Sequence, residues 1–191
     1  MLDILYEDNH LIAINKKSGD IVQGDKTGDT PLSDYVKKYI KKKYNKPGDV
    51  FLGTIHRLDR PTSGIILFAR TSKALSRMNE QFRTKKVQKI YWAIVNNEPP
   101  NTSGTLENYL TKNQKNNKSY VTKKDGKHAI LHYQIIKKLT NYYLLKIKPE
   151  TGRHHQIRVQ LANIGCNIKG DLKYGAKRSN IDGSINLHAS Q

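Results

Sequence analysis

The chain has 191 residues, with 34 lysines and arginines against 16 aspartates and glutamates, a formal charge of +18 and a single cysteine, Cys166. That length allows one domain with a sizeable core, and that charge predicts a polyanionic partner without separating RNA from DNA or an acidic membrane surface. There is no apolar run of about 18 residues to cross a membrane. The start, MLDILYEDNH, carries acids where a secretory signal carries lysines. One cysteine excludes an internal disulfide framework or a CxxC metal knuckle. The expectation is a soluble, cytosolic, nucleic-acid-facing protein with Cys166 as a small buried hydrophobe.

In chain order, ILY and LIAINK flank an Asp-Asn turn and alternate as a hairpin with one buried face does. GDKTGDTP is a turn-rich break. TPLSDYVKKYIKKKY predicts a helix with Thr30 as cap, Pro31 at its first position, and Leu32, Tyr35, Val36 and Ile40 along one face. Its lysine run reads as a solvated face. FLGTIHR is a strand entering the DRPTSG turn, and GIILFAR returns as a buried strand. TSKALSRMNEQFRTKK is a second helix, capped by Thr71 or Ser72, with Leu75, Met78 and Phe82 inward. VQKIYWAIV and the segments around KKDGK alternate again, Asp125-Gly126 being a hairpin signal. NYYLLKIKP is a further strand. In TGRHHQIRVQLANIG, Ile157, Leu161 and Ile164 recur at helical spacing, and Gly165 is placed to end the helix. Hairpins with interspersed helices predict an α+β domain with an antiparallel or mixed sheet.

Several chemistries have no sequence basis. No GxxxxGK[ST] or GxGxxG loop cradles a nucleotide cofactor, and no HExxH, cysteine cluster or GxSxG elbow is present. His128 and His132 share a strand face, but two ligands make no zinc site. His154-His155 reads as a helix-end pair. The segment HRLDRPTSG, residues 56–64, sets Asp59 between Arg57 and Arg60. A carboxylate beside a guanidinium is held in its charged form, a poor general acid but a usable nucleophile. The same residues also suit an ordinary turn with a surface ion pair.

Three patterns, taken together, resemble the RluA family of RNA pseudouridine synthases: HRLDRPTSGIILFAR, the KIYWAIV strand with Lys89, Tyr91, Ala93 and Val95, and ETGRHHQIRVQLANIGCNIKGDLKYG. The opening ILYEDNHLIAINKKSG also looks like that family's first strand pair, so the resemblance spans the chain. It implies one catalytic domain over residues 1–191, bilobed and α+β, with a bent, mainly antiparallel mixed sheet flanked by helices and a central cleft. It implies isomerisation of uridine to pseudouridine in structured RNA (23S-type ribosomal or transfer RNA) with no cofactor, and the accompanying expectation from the residues is a cytoplasmic protein with no metal or membrane, taken as a monomer. By that resemblance Asp59 is the nucleophile or base, Arg158 pairs with its carboxylate, Tyr91 lies against the uracil and Arg57 displaces the target base. Arg153 contacts phosphate or braces the TGR turn. His56 and His155 are framework, Asp171 fixes a turn through backbone hydrogen bonds, and Arg60 is structural ahead of phosphate-facing. Departures are Lys17 in place of a proline, Gln160 in place of a histidine, and an end at LHASQ where relatives continue, which implies that a last strand is absent. A small RNA-binding module in front is also not expected. Competing readings are a non-catalytic RNA-binding or ribosome-assembly protein on the same fold and, further behind, a base-flipping glycosylase.

Overall fold

The computed structural model describes residues 2–25 and 27–191, so Met1, and Lys26 within the predicted GDKTGDTP break, lie outside the described residues. The chain divides into two compact units, Met1–Val87 and Gln88–Gln191.

The first unit opens with the expected hairpin. β1 (Ile4–Glu7) and β2 (Leu11–Lys16) are antiparallel, and the Asp8 carboxylate closes their turn by accepting from the backbone N–H groups of His10 and Leu11. Helix α1 (Leu32–Lys43) follows, then β3 (Gly53–Thr54), β4 (Ser63–Ala69) and α2 (Ser72–Arg83). β4 pairs with both β2 and β3. Ile12 and Ile14 from β2, Ile66 and Phe68 from β4, and Val36 and Ile40 from α1 are buried, each worth about 1.5–3 kcal/mol of apolar transfer. Glu7 ties α1 to this sheet, accepting from Tyr39 Oη, Lys43 Nζ, Tyr44 Oη and Arg70 Nη1 at 2.7–3.1 Å.

Two local expectations for α1 fail for tertiary reasons. Pro31, not Thr30, is the cap residue, and no side chain caps the helix. The carbonyls of Ile21 and Val22 instead accept from the Leu32 and Ser33 N–H groups, so backbone from another segment satisfies donors left over at the helix start. Tyr35, expected inward, is exposed. In α2 the Thr71 hydroxyl accepts from Ala74 N–H at 3.1 Å, as predicted.

The second unit comprises β5 (Tyr91–Val95), β6 (Ser103–Asn113), β7 (Lys118–Thr122), β8 (Lys127–Lys138), β9 (Tyr143–Pro149), α3 (Gln156–Asn163) and β10 (Leu187–Ala189). Its strands run in the order β10-β5-β9-β8-β6-β7, with antiparallel pairings throughout among the described residues. The core gathers Ala93, Val95, Leu131, Leu145, Ile147 and Leu161 around a buried Cys166. Gly165, at φ +75°, ends α3. Its N–H bonds the Ala162 carbonyl and the Cys166 N–H reaches the Leu161 carbonyl, the paired closure that favours glycine at this position.

Asp125-Gly126 is not a hairpin turn between neighbours. β7 and β8 lie on opposite sides of β6, each paired to it, so residues 123–126 carry the chain past β6. A Cβ on Gly126 would stand 2.7 Å from the Leu110 backbone nitrogen. The glycine is there for close backbone approach rather than turn type. The α+β class with a mainly antiparallel sheet and flanking helices agrees with the sequence reading.

Candidate active site

Asp59 sits in the first unit on the loop between β3 and β4, and residues 16–19, leaving β2, clamp that loop. Lys16 Nζ donates to the Arg60 carbonyl (3.1 Å) and to the Lys17 carbonyl (2.8 Å). Gly19 N–H donates to the Arg60 carbonyl at 2.9 Å, and Ser18 Oγ donates to the Pro61 carbonyl at 3.1 Å. Within the turn, Thr62 N–H donates to the Asp59 carbonyl. Leu58 and Thr62 are buried, Asp59 is half-buried, and Arg57 and Arg60 are exposed. The loop therefore presents a carboxylate from backbone pinned at three consecutive residues.

The residues flanking Asp59 have separate partners. Arg60 Nη2 pairs with Asp29 at 2.6 Å on the surface, which supports the structural role for Arg60. His56 Nε2 accepts from Leu67 N–H at 3.1 Å, and its ring stacks on Phe82 at 5.1 Å, a framework role as expected. Lys16 is 1% exposed. Burial pushes its ammonium down to about 8, against the pull of Asp20 and Asp59 in the opposite direction. Lys16 was not singled out from the sequence. The available signal was phase, since Ile12, Ile14 and Lys16 alternate onto one buried face of β2, and a lysine in that register requires acceptors inside.

In the second unit, Tyr91 opens β5 between Ile147 of β9 and Ala189 of β10 and is half-buried. Arg158, on the first turns of α3, is buried. Its Nε donates to Asp171 Oδ2 at 2.7 Å and its Nη2 to Oδ1 at 2.8 Å. The guanidinium also lies 5.0 Å from the centre of the Tyr174 ring. This adds a second role to the reading of Asp171. Its backbone does hold the turn, accepting from Tyr174 and Ala176 N–H, but its carboxylate is a bidentate partner of Arg158. In the GDLKYG motif the aspartate thus serves an arginine thirteen residues upstream, which turn chemistry alone does not reveal.

The turn leading into α3 is tightly built. Gln156 Oε1 accepts from Thr151 Oγ1 and Arg153 N–H. His155 adopts a left-handed φ of 52° at the helix start and stacks on His154 at 3.7 Å. Burial first, then Arg158, His154, Lys173 and Lys112, push His155 down to about 2, so it stays neutral. Arg153 is exposed, and its Nε donates to the His128 carbonyl at 2.8 Å. Gln160, fully buried, donates through Nε2 to the Leu106 carbonyl and Asn108 Oδ1. On β8, His128 faces Glu107 and His132 faces Glu150. Among the described residues no group of three or more His, Cys, Asp or Glu stands together to hold a metal ion, and no helix is long and apolar enough to cross a membrane.

The candidate residues therefore fall as Arg57 and Asp59 on the first unit and Tyr91, Arg153 and Arg158 on the second. A family model described as RNA pseudouridylate synthase matches residues 10–163, which include all five. Ribosomal large subunit pseudouridine synthase C of Buchnera aphidicola subsp. Acyrthosiphon pisum is 38% identical over 184 residues, covering 95% of this chain and 56% of that protein. Ribosomal large subunit pseudouridine synthase D of Borreliella burgdorferi is 33% identical over 187 residues, with coverages of 95% and 56%. The chain thus spans about half the length of the curated relatives it matches. Among solved structures, human RNA Pseudouridylate Synthase Domain Containing 4 superposes with a TM-score of 0.82 at 26% identity, covering 98% of this chain and 82% of that one. The matched span, the pinned HRLDRPTSG loop and the shared fold lead to one conclusion: the chain belongs to the RNA pseudouridylate synthase family.

Proposed function

We propose that this protein isomerises uridine to pseudouridine in structured ribosomal or transfer RNA, acting as a cytoplasmic monomer without a cofactor, its two units together forming one catalytic domain over residues 1–191. In that reaction the bond from ribose C1′ to uracil N1 breaks, a bond from C1′ to C5 forms, the C5 hydrogen leaves to solvent and N1 gains a proton. Nothing is oxidised and no group is imported.

Asp59 is the nucleophile or base, Arg158 its ionic partner, and Tyr91 the face against which the detached uracil turns. The observation that carries the reading is the clamped loop. A catalytic carboxylate has to be held within a fraction of an ångström of its target, and the hydrogen bonds from Lys16, Gly19 and Ser18 fix the Arg60 and Pro61 carbonyls, immediately after Asp59. A uridine in folded RNA must leave its stack, at a cost of a few kcal/mol. The exposed Arg57 offers a guanidinium plane for the vacated space, Tyr91 supplies base stacking worth about 1–3 kcal/mol, and Arg153 and the many lysines contribute phosphate affinity.

The test uses RNA carrying tritium at uridine C5, drawn from cells that lack the protein. Wild type should release label, and Asp59→Asn, which keeps the shape and removes the charge, should not. Equal release by both proteins removes Asp59 from the chemistry. RNA binding with no release by either moves the chain to the non-catalytic RNA-binding reading.

A further inference from the structure

A cavity of about 560 Å³ opens in the second unit where β6, β7 and β8 meet the turn before α3. The sheet face that forms its floor begins as core. Leu110 on β6 and Ala129 on β8 are buried against Val159 and Tyr174. Two residues further along each strand the same face carries Lys112 and Lys127, because side chains alternate across a strand with period two. The register confirms the face: Leu110 stands opposite Lys127, and Lys112 opposite Ser119. Two lysines thus occupy the positions that continue an apolar face.

Neither ammonium has a hydrogen-bond or ion-pair partner among the described residues. Arg153 also lines the cavity, and its Nε is committed to the His128 carbonyl. That bond fixes the guanidinium plane and leaves the Nη edge without a partner among the described residues. Ser119 Oγ donates to the His154 carbonyl at 2.8 Å and so accepts from His154 Nδ1–H at 2.8 Å, which locks the wall between them. Asp125 is the one acid at the rim, against three cations. Volumes of about 300–1,000 Å³ are typical of small-ligand sites, so there is room for a phosphate together with its nucleoside.

We propose that this cavity is a docking subsite for one backbone phosphodiester of the RNA substrate, bound by Lys112, Lys127 and the Nη edge of Arg153. The proposal rests on the reading of the protein as an RNA-modifying enzyme and adds where the strand is gripped. Phosphate contacts of this kind set register without reading sequence. The subsite governs how RNA is presented and leaves the chemistry at the uridine untouched.

The double variant Lys112→Ala/Lys127→Ala tests it, since both side chains are exposed and no fold contact is lost. The probe is a fluorescein-labelled 20-nucleotide single-stranded RNA of mixed sequence, titrated from 50 to 300 mM salt. One lost phosphate contact lowers the slope of log K against log salt by about 0.7, roughly a fivefold loss of affinity at 0.1 M salt. In the tritium assay KM should rise by a similar factor with kcat unchanged. A fall in slope of at least about 0.5 supports the subsite, and a smaller one overturns it. An equal fall in Lys37→Ala/Lys38→Ala, which removes the same charge from α1, also overturns it by showing a general field effect. Acetylation mapping of the unmutated protein gives an independent reading, because bound RNA should protect Lys112 and Lys127. A wild type that shows these binding effects yet releases no tritium sinks the proposed activity and leaves the subsite standing.

Discussion

Replacing Asp171 by alanine should be among the most damaging single changes available in the second unit. The Arg158 and Asp171 side chains are 5% and 1% exposed, and their two hydrogen bonds measure 2.7 and 2.8 Å, which puts the charge centres about 4 Å apart. At an effective dielectric constant near 20, that separation corresponds to about 4 kcal/mol of attraction. Removing the carboxylate leaves a buried guanidinium without its bidentate partner, a change that costs about 3–5 kcal/mol. For a chain of this size the loss lowers Tm by about 6–20 °C. Asp171→Asn should lose nearly as much, because its NH2 group would face a guanidinium N–H, donor against donor. Urea unfolding followed by circular dichroism measures both. The decisive control is Arg158→Met/Asp171→Leu, which removes both charges. It should recover most of the stability of Asp171→Ala, as apolar replacement of buried pairs often does, while tritium release stays absent. If Asp171→Ala loses less than about 1 kcal/mol, or if the double replacement is no more stable than Asp171→Ala, the ion pair does not anchor Arg158 and the reasoning fails.

The other predictions concern the clamp and the crossing loop. Burial holds Lys16 at about 8, below its ordinary value, so between pH 8 and about 10.4 the unfolded chain carries a proton there that the folded chain has released. Stability relative to Lys16→Met therefore rises with pH across that window, by at most about 3 kcal/mol, and a difference in urea midpoint that stays flat from pH 7.5 to 10.3 contradicts this. Lys16→Met should also lower kcat in tritium release, because the Arg60 carbonyl loses a charged donor beside Asp59. Arg60→Gln breaks only a surface pair whose side chains are 47% and 52% exposed, so it should change stability by less than about 1 kcal/mol. Gly126→Ala pushes a methyl against the Leu110 backbone and should cost about 1–3 kcal/mol. A loss under about 0.5 kcal/mol would show that the crossing segment gives way freely.

What was legible in the sequence is what the local chain decides for itself. Alternation placed β1 and β2, an apolar run after a Pro-Gly turn placed β4, helical spacing placed α2 and α3, and Gly165 ended α3 in the left-handed conformation foreseen for it. The misses share a cause. Thr30 has the right chemistry for a cap, but carbonyls of residues 21 and 22 reach the helix start first. Asp125-Gly126 has hairpin chemistry, yet its neighbours in the sheet are decided by β6 pairing on both edges. Lys16 and Arg60 are 44 residues apart, and nothing in either segment names the other. For the candidate site the motifs identified Asp59, Tyr91 and Arg158, whereas the partnerships that hold the Asp59 loop and Arg158, through Lys16 and the Asp171 carboxylate, are set by tertiary contacts.

The arginines beside Asp59 show why this distinction matters. Adjacent in sequence, Arg57 and Arg60 look like the charges that keep the carboxylate ionised. Arg60 is instead engaged by Asp29, and its contribution to the site is its carbonyl, which holds Lys16 and Gly19. Arg57 is exposed. The positive charge built in behind Asp59 in its own unit is Lys16, and burying that ammonium works against its protonation. A chain of net charge +18 has lysines to spare on its surface, so screening could never by itself explain a buried one. Its position is explained by the two carbonyls it holds: the lysine fixes the backbone of the loop that carries the acid, and its charge at the carboxylate is the secondary effect.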